Sequence, residues 1–240
     1  MKHQFKPKEN MEVHVIMKTR KATLDDGCNP ELVRGADFDG YLGIPIIHKP
    51  EKMIIPSGMT PFTYRNRITS GSEAICFHEK DPEFSDVLIR PDDYLDVFRK
   101  HILISPDCSL YRDAPLAVQI TNVYRNRALG SYYQRKGVYV IPLIRWGNSL
   151  TYTTKVLPEK VAFLGAEKHS IVSIGTYGCI QSAADKCEFR AGLNAMLDTL
   201  EPEIVLVYGA MPDTVFADFK NRTTFVHYPD WTSRMHGGNR

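Results

Sequence analysis

The sequence predicts an α/β fold: a mainly parallel sheet with crossover helices, either (β/α)-barrel-like or an open wound sheet, behind an irregular Pro-rich N-terminal extension. Three observations predict it. From residue 86 on, the apolar runs are unbroken rather than alternating, as in strands covered on both faces. The segments between them are long enough for crossover helices. The chain of 240 residues, 43% hydrophobic and 24% charged, is long enough for one well-buried core and has a globular composition.

Residues 1–42 read as an extension and 43–240 as a single α/β domain. Met11–Met17 alternates enough to form a strand, and Lys18–Arg34, charged and holding Gly27 and Pro30, suits a loop. Gly43–Pro61 carries four prolines, which exclude regular helix. Its Ile46/Ile47 and Ile54/Ile55 pairs suit extended chain laid over the core. Val87–Ile89 is a short apolar run, after which Asp92 and Asp93 can cap a helix through Lys100 with Leu95 and Phe98 inward.

Ile102–Ile104 runs into Ser105-Pro106-Asp107. Pro115 to Lys136 fits a helix, with Leu116, Ile120, Val123 and Tyr124 at helical spacing and Gly137 as its stop. Gly130 in its interior costs ~1 kcal/mol relative to alanine, which close backbone packing would explain. Val138–Ile144, broken only by Pro142, ends in Arg145-Trp146-Gly147. The stretch from Trp146 to Ser170 has weak helix formers at Thr151, Thr153 and Thr154. Ile171–Ile174 ends in Gly175-Thr176-Tyr177-Gly178. A helix with Phe189, Leu193, Met196, Leu197 and Leu200 on one face follows. Ile204–Val207 then ends in Tyr208-Gly209. A short helix near Thr214–Lys220 precedes Thr224–Val226, which ends in His227-Tyr228-Pro229.

A formal charge of +2 gives no general attraction to nucleic acid or membrane, so any basic surface is local. No stretch reaches the ~18 apolar residues of a membrane span, and Met1 to Asn10 has no apolar core of a secretory signal. The five cysteines are odd in number and scattered, with no CxxC pair. They read as reduced thiols in a cytoplasmic setting. Histidines and cysteines do not fall at metal-ligand spacing, so no metal is expected. No cofactor is specified.

In both candidate architectures ligands bind at the carboxyl ends of the strands. That points to Asp92, Asp93, Asp107, Arg145, Trp146, Thr176, Tyr177, Gly178, Tyr208, His227 and Tyr228. Asp107 is either a turn-capping residue or a general base or metal ligand. Arg145 either pairs with Asp107 or clamps a carboxylate or phosphate. Trp146 either stacks on a base or packs at the edge of the core. The Thr176–Gly178 turn can hold an anion on backbone N–H groups, though it is neither a Walker motif nor a dinucleotide fingerprint. Asn126 and Arg127, on a polar stripe of the long helix, face either solvent or a phosphate-binding groove. Cys108 and Cys179 are buried inert thiols or nucleophiles, with no histidine predictably adjacent.

Ser105-Pro106-Asp107-x-Ser109, Tyr124-Arg125-Asn126-Arg127 with Gly130 and Gln134, then Gly137, Val140-Ile141-Pro142 and Trp146, resemble the signature of an uncharacterised family, domain of unknown function four-four-one-seven. Gly43-Ile44-Pro45, Thr60-Pro61-Phe62, Asp92-Asp93-Tyr94 and Thr176-x-Gly178 fit the same pattern in order, so the resemblance spans about residues 43–229. It implies a phage, bacterial or mobile-element accessory protein and supplies no activity. The chain departs from the pattern at Cys108, where an aromatic is common, and at Gly175, where a serine is common. Two functional readings follow. One is a strand-end pocket for a phosphate-bearing ligand, nucleotide or nucleic acid, with or without hydrolysis, in which Asp107, Arg145 and Tyr208 act on the ligand. The other is a non-catalytic protein that binds a host or defence protein.

Overall fold

The computed structural model describes residues 29–237. The strand expected at Met11–Met17 lies outside the described residues. In chain order the elements are β1 (Phe38–Asp39), β2 (Ile44–Pro45), β3 (Met59–Pro61), β4 (Ala74–Cys76), α1 (Ser85–Ile89), α2 (Leu95–Phe98), β5 (Ile102–Ile104), α3 (Leu116–Arg135), β6 (Tyr139–Ile141), α4 (Ser149–Tyr152), β7 (Ile171–Gly175), α5 (Ala183–Leu200), β8 (Ile204–Tyr208), α6 (Asp213–Phe216), β9 (Thr224–Tyr228) and α7 (Trp231–Gly237). Short 3₁₀ turns join several of them. Strands β1 and β2 form a small antiparallel pair.

All other pairings are parallel, in the orders β3-β4-β5-β6 and β7-β8-β9. The two sheets are continuous through a parallel bridge between Leu143 and Ser173. There Ser173 N–H donates to Pro142 O at 2.9 Å and Ile144 N–H to Ser173 O at 2.8 Å. Seven parallel strands thus lie side by side in sequence order.

The sheet curls into a barrel-like form. His78, two residues past β4, stacks on Tyr208 at the end of β8, with ring centroids 4.5 Å apart. Four strand spacings in a flat sheet would separate those positions by about 19 Å. The two outer strands also approach each other, since Tyr228 Oη donates to the carbonyl of Pro56, just before β3, at 2.6 Å.

Alternation along each strand explains why the runs looked continuous. Cys76, Ile104, Ile141, Leu143, Ile171 and Leu206 point inward into one apolar cluster with Met59 and Tyr228. Their neighbours point outward: Ile75, Leu103 and Val140 pack under α3, and Val172, Ile174, Val205 and Val207 under α5. The α5 face read from the sequence, Phe189, Leu193, Met196, Leu197 and Leu200, is buried there. Ser182 starts α5 with a capping box closed by Asp185.

The structure corrects several local expectations. Val87–Ile89 belongs to helix α1 and not to a strand, so Asp92 and Asp93 do not sit at a strand end. They open a 3₁₀ turn before α2, without a side-chain cap. Asp92 accepts a hydrogen bond from Tyr132 Oη instead. Leu95 and Phe98 are buried as expected. Strands β3 and β4 lie in the stretch that read as irregular. Leu32, within the predicted extension, packs into the core beside Ala128 and Leu129 of α3. Between Trp146 and Ser170 there is only the single-turn α4, capped by Asn148, and a 3₁₀ turn at Val161–Phe163.

Helix α3 carries little apolar periodicity because much of its buried surface is polar. A Cβ at Gly130 would lie 2.2 Å from Ile47 Cδ1 and 3.1 Å from Ser105 Cβ, the close packing that accounts for this glycine. Asn126 and Arg127 are 5% and 2% exposed. Asn126 donates to Pro106 O at 2.6 Å and accepts from Ser105 Oγ at 2.9 Å. Arg127 donates to Leu143 O at 2.7 Å, Leu164 O at 2.9 Å and Ala162 O at 3.4 Å. These two residues face the core and bind its carbonyls; they line no phosphate groove.

Candidate functional site

The inward-pointing residues at the carboxyl ends of five consecutive strands meet at one mouth of the curled sheet. His78 follows β4, Asp107 follows β5, Arg145 follows β6, Gly175 ends β7 and Tyr208 ends β8. Arg145 grips Asp107 with two parallel hydrogen bonds, Nε to Oδ1 at 2.6 Å and Nη2 to Oδ2 at 2.5 Å. Such a bidentate pair is the strongest arrangement open to a guanidinium and a carboxylate. Asp107 is 2% exposed at its side chain and Arg145 21%.

His78, 1% exposed at its side chain, completes the ring of contacts, with Nδ1 3.2 Å from Asp107 Oδ2. An ionised carboxylate only accepts, so Nδ1 carries the proton in that contact. Its other nitrogen, Nε2, has no hydrogen-bond partner among the described residues. The ring stacks on Tyr208 with planes 10° apart. A Cβ at residue 175 would lie 2.6 Å from His78 Nδ1, so a glycine makes room for the imidazole.

The electrostatics follow from these contacts. Burial alone raises the pKa of Asp107, but the charge and hydrogen bonds of Arg145, with a contribution from His78, outweigh it. They hold the carboxyl well below the usual range. Burial opposes the charge of Arg145, and Asp107 more than restores it. A carboxylate held so firmly ionised is a weak proton acceptor. Burial pushes the Tyr208 phenol up, and its oxygen accepts from the Trp231 N–H at 2.9 Å.

Among the described residues, the third guanidinium nitrogen of Arg145, Nη1, meets only the thiol of Cys179, at 3.0 Å. Cys179 lies on the loop from β7 to α5. Thr176 starts that loop, with its N–H donating to Tyr208 O at 2.9 Å and its Oγ1 to Ala210 O at 2.7 Å. The turn closes by Cys179 N–H to Thr176 O at 3.0 Å, and Gly178 sits at φ +74°. Tyr177 is 68% exposed. Among the described residues, nothing accepts from the Tyr177 or Gly178 N–H.

Of the residues singled out from the sequence, Asp107, Arg145, Thr176 and Tyr208 come together at this mouth, flanked by Tyr177 and Gly178. Trp146 does not join them. It packs against Phe189 and Phe163, and a Cβ at Gly192 of α5 would lie 2.1 Å from its Nε1, so it is a helix-packing residue. His227, exposed on β9, contacts Gly209 O through Nε2 at 2.7 Å. Cys108 is buried and its thiol is pushed up by burial. His78 was missed, although the apolar run Ala74-Ile75-Cys76-Phe77 directly before it marks a strand end. Among the described residues, no group of three or more His, Cys, Asp or Glu side chains could hold a metal ion. Two open surface hollows lie elsewhere, one beside Lys49 and Glu167 and one beside Glu203 and Arg222.

The mouth belongs to an α/β protein built on a curled parallel sheet, with an acid–guanidinium–imidazole cluster at the strand ends. Residues 36–229 match the family described as Domain of unknown function (DUF4417), and the chain belongs to it. It is 32% identical to Gene 1 protein of Mycobacterium phage D29 over 162 residues, which are 67% of this chain and 56% of that protein. It is also 32% identical to Gene 1 protein of Mycobacterium phage L5 over 149 residues, 62% of each chain. The chain thus spans about three fifths of the length of these phage relatives. No solved structure matches it significantly. Among the described residues, no helix is long and apolar enough to cross a membrane.

Proposed function

We propose that this chain is an accessory protein of a phage or mobile element, working in the cytoplasm, that binds a phosphate-bearing ligand, a nucleotide or nucleic acid, at the carboxyl-end mouth. The observation that carries the reading is the state of Arg145. Asp107 satisfies one edge of its guanidinium, while Nη1 rests on a thiol, a weak acceptor. The open N–H groups of Tyr177 and Gly178 belong to the same loop as that thiol. A phosphate oxygen displacing Cys179 would gain a charged donor and backbone donors together. Any hydrolysis at this mouth would rely on His78 rather than Asp107 for proton transfer, because Asp107 is locked in its ion pair.

The test is a set of thermal melts with nucleoside mono- and triphosphates and short oligonucleotides, on wild type and Arg145→Lys. Lysine keeps the charge but not the planar fork. Stabilisation of wild type by at least one ligand, reduced in Arg145→Lys, supports the reading. If no ligand raises the melting temperature, the second reading gains: a non-catalytic protein that docks on a host or defence protein, with the cluster serving only to hold the strand ends.

A further inference from the structure

We propose that Tyr64 and Trp231 form a stacking platform for single-stranded nucleic acid beside this mouth. The inference rests on the phosphate-ligand reading and narrows it from nucleotides in general to a polynucleotide. Tyr64 lies in the 3₁₀ turn Phe62–Arg67 that leaves β3, and Trp231 opens α7 just after β9. Their rings stack with centroids 4.7 Å apart and planes 12° apart. The pair spans the seam between the two ends of the curled sheet. It is also tied to the mouth, because the Trp231 N–H donates to the Tyr208 hydroxyl and the Tyr208 ring carries His78.

Two features distinguish this pair from ordinary packing. First, Tyr64 is 37% exposed although it stacks on a tryptophan. Second, Arg67 stands beside the stack and not over its outer face. Its guanidinium carbon is 5.2 Å from the Tyr64 centroid and 5.9 Å from that of Trp231. A group covering the far side of Tyr64 would lie well over ~7 Å from Trp231, given ordinary stacking distances. The Tyr64 face is therefore not capped by Arg67, and a cation stands at its edge.

The nearby carboxylates are engaged away from Arg65 and Arg67. Glu73 is bound by Arg234, Glu79 by Thr63 and Asp230 by Ser233. Arg65 lies over Phe62 and donates to its carbonyl. Among the described residues, neither Arg65 nor Arg67 has a carboxylate within ion-pair distance. An aromatic face with an unpaired arginine at its edge matches a nucleobase and its phosphate, the pattern by which single strands are held without sequence preference. Trp231 is linked to Arg145 through Tyr208, His78 and Asp107 in turn. A ligand of more than one nucleotide would use both places.

The experiment measures binding of a fluorescein-labelled 12-nucleotide single strand, DNA and RNA, to the full chain by anisotropy, with quenching of tryptophan fluorescence as a direct readout. Wild type is expected to bind the single strand more tightly than the duplex or any mononucleotide, with quenching that is lost in Trp231→Phe. Tyr64→Ala should weaken binding about tenfold, equivalent to ~1.4 kcal/mol. Tyr64→Phe should restore it. Arg67→Gln should weaken binding and flatten its salt dependence by about one phosphate contact. Because Tyr64→Ala can loosen α7, Tyr64→Leu serves as a second variant that fills the space without a π face.

Absence of single-strand binding overturns the proposal. So does binding indifferent to Tyr64→Leu and Arg67→Gln, which would reduce the stack to a pin for α7. Mononucleotide stabilisation that depends on Arg145, with no gain for an oligonucleotide, overturns this inference while leaving the phosphate-ligand reading intact.

Discussion

The imidazole of His78 lies flat on the phenol ring of Tyr208, centroids 4.5 Å and planes 10° apart, and so joins the end of β4 to the end of β8. Gly175 makes this possible from β7, the neighbour of β8, since a side chain there would enter the imidazole. The stack and the Asp107–Arg145 pair meet at His78 Nδ1. The mouth is thereby held by one aromatic and one ionic contact, joined by the hydrogen bond from His78 to Asp107.

Gly175→Ala is expected to destabilise the fold by ~1–3 kcal/mol, the usual cost of forcing a methyl into a packed site. Its methyl would meet His78 Nδ1 and Cε1 at 2.6 and 2.7 Å, and Gly175 lies mid-sheet, where backbone retreat is limited. Urea titration measures it. A change within ~0.5 kcal/mol, typical of unconstrained surface sites, would show that the ring is not confined there.

Removing either member of the buried pair should cost more than removing both. Arg145→Ala leaves Asp107, 2% exposed, as a buried carboxylate held only by His78, a loss of ~3–5 kcal/mol. The double variant Arg145→Met with Asp107→Leu leaves no charge behind and should recover much of that loss. A double-mutant cycle from denaturant melts reads the coupling. Additive single losses would contradict the pairing.

The same pair sets the acid limb of stability. The folded pKa of Asp107 is held below its ordinary value of 3.8, so unfolding takes up a proton as the medium acidifies. The contribution is present in full above that value and is lost as the pH falls through it towards the folded pKa. Wild type should lose stability steeply below about pH 4, where an unperturbed carboxylate titrates. Asp107→Asn should be less stable at pH 7 and show a flatter acid limb. Parallel limbs would mean that other carboxylates govern acid unfolding.

Thiol reactivity should follow burial. Cys187 is exposed, Cys179 is half-buried against Arg145, and Cys76 and Cys108 are buried with thiols pushed up by burial. All four are free. Alkylation mapped by mass spectrometry is expected to reach Cys187 first, then Cys179, and Cys76 and Cys108 only on unfolding. Early labelling of Cys108 would show that the loop after β5 opens in the native state. Cys28 lies outside the described residues.

The second half of the fold was legible because β7, β8 and β9 are five-residue strands separated by recognisable helices. Their ends drew attention to Thr176 and Tyr208. Strands β3 and β4 have three residues each and stand among prolines and loops. So short a run carries no period, and His78 went unseen with them. Val87–Ile89 misled for the converse reason: a few apolar residues fit one turn of helix as well as a strand. Trp146 looked functional because an aromatic side chain at a strand end suits a ligand, and Asn126 and Arg127 because a polar stripe on a helix suits a groove. Their partners, a glycine on α5 and carbonyls distant in sequence, are visible only in three dimensions.

Arg127 gives the sharpest contrast between those two roles. Its guanidinium is fully buried, with no carboxylate among the described residues hydrogen-bonded to it; its acceptors are the carbonyls of Leu143, Ala162 and Leu164 and the side-chain oxygen of Asn126. Burial pushes its pKa down to about 10, so it remains a cation at neutral pH. Those carbonyls lie at the end of β6 and along Ala162–Leu164, and Arg127 fastens both to α3. Arg127→Met should leave several buried acceptors without donors, each costing ~1–3 kcal/mol, and so threaten the fold. Arg127→Lys should recover only part of the loss, because an ammonium lacks the planar fork that reaches divergent carbonyls. Thermal melts without ligand measure both. A phosphate-binding role would give the opposite result: Arg127→Met would melt near wild type and lose only its affinity for oligonucleotides.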